Sequence, residues 1–153
     1  MYINKFTENT DGGGTNLVIF DADDEPKNRR EEILKSKAEE KLNFELFLFP
    51  DNKNAGELED LLCQIINAQH QMIFDCFDTY QGCLKKNPRY TVPDMKTKIF
   101  AYLGALLPKR ENDFAKEKKR DYSNIDHWDL ENPAMLPLRQ FLDQYFKGIQ
   151  KSS

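Results

Sequence analysis

The chain has 153 residues, enough for one compact domain with a core of its own, and its 39% hydrophobic and 31% charged residues are an ordinary balance for a globular protein. A net charge of −4 excludes a global positive field that would draw in nucleic acid, so such a contact needs a local basic patch or a metal ion bridging to phosphate. No apolar run approaches the roughly 18 residues of a membrane span and no signal peptide opens the chain, so a cytoplasmic location without membrane attachment is expected. The three cysteines (Cys63, Cys76 and Cys83) have no partner at zinc-finger spacing and are expected as reduced, core-facing thiols.

Taken in order, Tyr2-Ile3-Asn4-Lys5-Phe6 alternates apolar and polar residues, which predicts a short edge strand. Asp11-Gly12-Gly13-Gly14 then reads as a flexible turn; it lacks the Lys-Ser/Thr that would make it a phosphate loop. Asn16-Leu17-Val18-Ile19-Phe20 is a continuous apolar run ending in four acids and a proline, Asp21 to Pro26. Its β-branched and aromatic content predicts a buried strand of a parallel sheet. The acids would sit at the carboxyl end, where open α/β sheets bind ligands.

Asp21 and Asp23 are two apart, so an extended backbone would aim both carboxylates the same way. Two converging carboxylates suit a hard divalent ion such as Mg²⁺ or Mn²⁺. The alternative is that Asp24 or a neighbour caps a helix opening near Pro26, where acids favour the helix dipole.

Residues 26–42 predict a charged helix with a thin apolar stripe, and "FELFLFP" from Phe44 predicts a second buried strand; together with the first they make one βαβ unit with parallel pairing. After a turn over Asp51 to Gly56, Leu58, Leu61, Leu62, Ile65 and Ile66 fall at helical spacing. Glu59 lies at the margin of that apolar face and is a candidate third ligand for the Asp21 and Asp23 pair; the alternative is an acid favouring a helix N-terminus.

The second half is helical in pattern. Met72, Ile73, Cys76, Phe77, Tyr80, Cys83 and Leu84 predict one core stripe, and Met95, Ile99, Phe100, Leu103, Leu106 and Leu107 another, stopped by Pro108. The stretch from Lys109 to Asp121 carries six basic residues against four acids, either a solvated loop or frayed helix or a phosphate-contacting patch. Asp126-His127-Trp128-Asp129-Leu130-Glu131 predicts a loop docked by its tryptophan, or else a histidine oriented by carboxylates as a base or metal ligand. A final helix presents Leu138, Phe141, Leu142, Tyr145 and Phe146 on one face and closes the core; the final Lys151-Ser152-Ser153 is expected to be disordered.

"LVIFDADDE", "FELFLFPDNKNAGELEDLL", "CFDTYQGCL" and "WDLENPAMLPLRQFL", in this order and spacing, resemble an uncharacterised bacterial family with a Toprim-like fold, over Leu17 to Leu142. The family is distantly similar to the Toprim domains of OLD-type nucleases. The resemblance implies a single α/β domain over 1–150, with a small, mostly parallel sheet flanked by helices and a helical C-terminal half. It implies Mg²⁺ or Mn²⁺ held by Asp21 and Asp23, which match the family's Asp-x-Asp, with Glu59 as the acid at the start of a following helix.

Toprim domains also carry an essential glutamate after a first strand. Glu8 is the sole glutamate before Asp21 and is not assigned that role. The N-terminal strand-helix unit is therefore expected to be missing, either because the parental protein begins earlier or because the unit was lost, with Tyr2 to Phe6 as the remnant of a second strand. A gap in the sheet would favour rearrangement or a homo-oligomer.

Two functions follow as expectations: Mg²⁺-dependent phosphoryl transfer or nucleic-acid cleavage, with catalytic residues unassigned, and a non-catalytic module that binds nucleic acid or a partner protein through a degenerate site. A structural accessory to a defence or mobile-element system is compatible with the same residues.

Overall fold

A computed structural model of the chain describes residues 2–107 and 120–146. It is an α/β structure with six α-helices and a two-stranded parallel sheet among the described residues. They divide into two compact units. The first comprises 2–61 with 133–146, and the second 62–107 with 120–132.

The first unit opens on α1 (Tyr2–Asp11), which corrects the expected edge strand and with it the remnant-strand reading. Tyr2, Ile3 and Phe6 suit a 3.6-residue period as well as alternation, and the glycines that follow supply a C-terminal stop. Gly12 N–H donates to the Glu8 carbonyl at 3.0 Å and Gly14 N–H to that of Asn9 at 2.8 Å, closing the helix. Asn16 then ties the turn down, its Nδ2 donating to the carbonyls of Phe6 (3.0 Å) and Asn43 (2.8 Å).

The sheet pairs β1 (Leu17–Asp21) with β2 (Glu45–Phe49) in parallel, Leu17 opposite Glu45 and Asp21 opposite Phe49. Between them α2 (Pro26–Glu39) makes the crossover expected of a βαβ unit. In β2, Leu46, Phe47 and Leu48 are all buried, so both of its faces are covered. In β1, Ile19 is 37% and Phe20 47% exposed, which corrects the expectation of a buried strand: apolar run length does not distinguish a strand covered on both faces from one left partly open. Ala22, Phe44, Leu46 and Leu48 form the core on one side, joined by Phe6, Val18, Ile33 and Leu42. Phe47 packs against Phe141 of α6 (Leu136–Phe146), ring centroids 5.3 Å apart.

Helix α3 (Leu58–Gln64) leads into the second unit and ends sooner than its apolar spacing predicts. Ile65 and Ile66 are buried beyond its end, and Ile66 forms an antiparallel bridge with Trp128. Helices α4 (Gln71–Leu84) and α5 (Met95–Ala105) follow. On α4 the buried side chain is Phe74, while Met72, Cys76, Tyr80 and Cys83 are exposed, so the expected stripe is displaced and two of the three thiols do not face the core.

On α5 the buried face is Ile99, Tyr102 and Leu103. Tyr102 is wholly buried and donates its hydroxyl to the His127 carbonyl, and burial pushes its phenol up. Pro108, the final Lys151-Ser152-Ser153 and all of the basic stretch before Arg120 lie outside the described residues.

Candidate carboxylate site

Strand β1 stops at Asp21, and this sets the position of the acids. Ala22, fully buried, donates its N–H to the Phe49 carbonyl at 3.1 Å and to the Gly56 carbonyl at 3.0 Å. Asp23 adopts φ +55, a left-handed conformation that Asp tolerates better than most residues. The pleat that would have put Asp21 and Asp23 on one face therefore ends between them. A bridge holds Asp23 instead: its N–H donates to the Gly56 carbonyl (3.1 Å) and Gly56 N–H donates back to the Asp23 carbonyl (2.9 Å).

This bridge carries the turn after β2 back to the end of β1 and brings the start of α3 with it. Asp21 Oδ1 accepts from the Leu58 N–H at 2.8 Å, satisfying a donor that the first turn of a helix leaves open. Asp60 reaches back to the Glu57 N–H at 2.7 Å, half of a capping box. The predicted capping role of an acid near Pro26 is thus met elsewhere: Glu25 precedes α2 without a side-chain cap, and Asp21 serves α3.

The outcome is one acidic edge. Asp21 and Asp23 come from the end of β1, and Glu57, Glu59 and Asp60 from the start of α3. Its electrostatic sign appears at Glu57, whose carboxyl is pushed above its ordinary value by desolvation and then by the charges of Glu59, Asp21, Asp23 and Asp60. Glu57, Asp60 and Gly56 belong to this arrangement although their sequence pattern signalled only a turn and a helix start.

A raised acid pKa gives a signed prediction. Above the folded value, ionised Glu57 is less favoured in the fold than in the unfolded chain; below its ordinary value both states hold the proton and the penalty vanishes. Glu57→Gln is therefore expected to raise the melting temperature by about 1 °C at pH 7 in low salt, the small size reflecting its exposure. The gain disappears at pH 3. A gain of equal size at both pH values would show that charge is not its source.

Carboxylate oxygens are the donors that Mg²⁺ and Mn²⁺ prefer. Among the described residues no three of His, Cys, Asp or Glu stand together as a ready-made metal cage. That is compatible with Mg²⁺, which commonly keeps several waters and takes one or two carboxylates plus substrate phosphate. A carboxylate also has about four acceptor positions, so the Leu58 bond leaves Asp21 capacity for a cation.

Cations approach this edge from α2. Arg29 Nε lies 3.4 Å from Asp23 Oδ2. Its neighbour Arg30 donates instead to the backbone and side-chain oxygens of Asn52.

The second unit shows a different use of polar groups. Trp128 is buried and donates its indole N–H to the Tyr122 carbonyl at 3.0 Å. The two ring nitrogens of His127 face the Asp121 carbonyl oxygen and the Asn124 side-chain amide, both at 3.2 Å, rather than a carboxylate. The tryptophan-anchored loop describes this stretch. No helix among the described residues is long and apolar enough to cross a membrane.

A parallel βαβ unit whose strand ends converge on acids defines an α/β protein with a carboxylate edge. The family described as "Protein of unknown function (DUF3226)" matches residues 9–147, and the chain belongs to that family. No curated protein and no solved structure matches the chain.

Proposed function

We propose that the acidic edge is a divalent-cation site and that the protein acts in phosphoryl transfer or nucleic-acid cleavage, with a Toprim-like arrangement of its acids. The observation that carries this reading is the Asp23–Gly56 bridge, which joins the end of β1 to the start of α3 and so gathers carboxylates from two elements distant in sequence. Asp21 and Asp23 would hold the ion, with Glu59 completing or orienting its shell. A bound Mg²⁺ or Mn²⁺ supplies polarisation of a phosphoryl oxygen and activation of water or a hydroxyl. The chain contributes orientation: Asp21 is fixed by the Leu58 N–H and Asp23 by its backbone bridge. Glu57 is pushed up by desolvation and then by the neighbouring carboxylates, a repulsion that a cation placed among them would relieve.

A second reading is a non-catalytic module that binds nucleic acid or a partner protein. It is favoured by the region before β1, which is a helix with Glu8 exposed on it rather than a strand delivering a glutamate to the acids.

Calorimetric titration with Mn²⁺ and Mg²⁺ tests the first reading. The wild type is expected to bind saturably, on the order of millimolar or tighter, and Asp21→Asn with Asp23→Asn to weaken binding at least about tenfold. Binding that survives the double substitution unchanged would place the ion elsewhere. Metal binding without cleavage of single-stranded DNA, duplex DNA or RNA would favour the second reading.

A further inference from the structure

Helix α4 has one side packed within its own unit and another that is exposed among the described residues. Phe74 is buried with its ring 5.5 Å from that of Tyr102, Asp78 pairs with Lys98, and Gln81 donates to the Pro93 carbonyl at 2.7 Å. At about 100° per residue these three positions mark the inward side. The opposite side carries Met72, Cys76, Thr79, Tyr80 and Cys83, all exposed, Met72 at 73% and Tyr80 at 51%. A row of apolar side chains along the outside of a helix is the pattern of a helix–helix contact, since water does not favour it.

Gly82 adds a backbone signal. It lies inside α4, where glycine is the least favourable residue after proline. A Cβ built there has no heavy atom within 4 Å, so packing within the chain does not require glycine at this position. The close passage of a second helix does.

The charges beside the row select its partner. Asp75 lies in the first half of α4 and Lys86 in the turn that follows it, about three turns apart and on the same side of the row, both exposed. Asp75 accepts from Gln71 through Oδ1 at 3.0 Å, and its carboxylate has capacity for a further donor. A parallel pair of α4 helices would set like charges together. An antiparallel pair related by a twofold axis sets Asp75 beside the partner's Lys86 on that side, and the symmetry makes this ion pair twice. The same register places the axis near Thr79 and Tyr80 and brings Cys76 opposite the partner's Cys83, with Asp75 and the partner's Lys86 offset by only about 3 Å along the helix.

We propose that the exposed side of α4 is the interface of a homodimer, in which α4 packs antiparallel on the α4 of a second copy with Asp75 beside the partner's Lys86 and Cys76 against the partner's Cys83. The contact is isologous and closes at two chains. It is independent of the divalent-cation reading of the acidic edge. One helix pair buries less surface than a permanent dimer needs, so dimer and monomer exchange, with a Kd on the order of 1–100 µM.

Sedimentation velocity of the whole reduced chain, from about 1 to about 500 µM, tests the pairing, with circular dichroism confirming that each variant is folded. The wild type is expected to pass from monomer to dimer. Asp75→Lys sets lysines together at both ends of the contact and is expected to weaken the dimer about tenfold in low salt. Adding Lys86→Asp restores opposite charges and is expected to return the Kd to within about threefold of the wild type. The thiols read the register. In a Cys63→Ala background, Cys76→Ala and Cys83→Ala are each expected to give no disulfide-linked dimer when copper phenanthroline is the oxidant, whereas an equal mixture of the two joins Cys83 of one chain to Cys76 of the other. A linked dimer from either variant alone, or none from the mixture, would overturn the antiparallel register. A chain monomeric at about 500 µM, or a dimer indifferent to Asp75→Lys, would overturn the interface itself.

Discussion

Gly56→Ala is expected to destabilise the protein by about 2–4 kcal/mol and to weaken any cation affinity of the acidic edge in the same variant. Gly56 has φ +140, a conformation that side chains with a Cβ do not adopt without strain. A Cβ built there would lie 2.5 Å from Asp60 Oδ2 and 3.0 Å from Pro50 Cδ, so relief requires the turn to shift away from β1. Such a shift breaks the hydrogen bonds to Ala22 and Asp23 and moves the start of α3, where Leu58 meets Asp21. Urea unfolding would measure the first effect and Mn²⁺ titration the second. Loss of stability with unchanged affinity would show that the bridge does not position the acids.

The second large effect is expected at Phe47. Its side chain is fully buried and packs against Phe49 and Phe141, with ring centroids 5.8 and 5.3 Å away. Phe47→Ala is expected to cost about 3–5 kcal/mol, the transfer term and the cavity acting together. Ile19→Ala on β1 serves as the control: at 37% exposed, its methyl groups already lose part of their burial, and the expected loss is about 1–2 kcal/mol. Denaturant midpoints with unchanged m-values separate the two. Equal losses would mean that β1 is covered as thoroughly as β2.

The parallel pair β1–β2 and its crossover helix were legible because two apolar runs flanked a charged segment of helical length, a pattern with few other solutions. The order of burial was not. "LVIF" and "FELFLF" read alike, yet only β2 is covered on both faces, because coverage depends on what packs from elsewhere in the chain. Tyr2 to Phe6 satisfied both periods, and the glycines that decide for a helix lie beyond the window that suggested a strand. On α4 the chosen stripe missed Phe74, since a helix apolar on several sides does not reveal which side meets a neighbour.

For the acids, the location at the end of β1 was readable and the geometry was not. The left-handed turn at Asp23 and the bridge to Gly56 arise from a contact between residues far apart in sequence. Arg29 carried a signal in the sequence, a cation at the wrong end of a helix, whose meaning depended on knowing that Asp23 lies beside it.

The first unit is built from two separated parts of the chain, with the whole of the second unit between them, and its last contribution is α6. During synthesis, Phe47 emerges long before Phe141, the ring that packs against it. The βαβ unit must therefore wait, with one apolar face of β2 uncovered, until α6 has been made. The second unit is continuous in sequence and is under no such delay, so it is the part free to fold first, contrary to the usual N-terminal order. The interval between the two events is when this protein is most exposed to association through its uncovered strand.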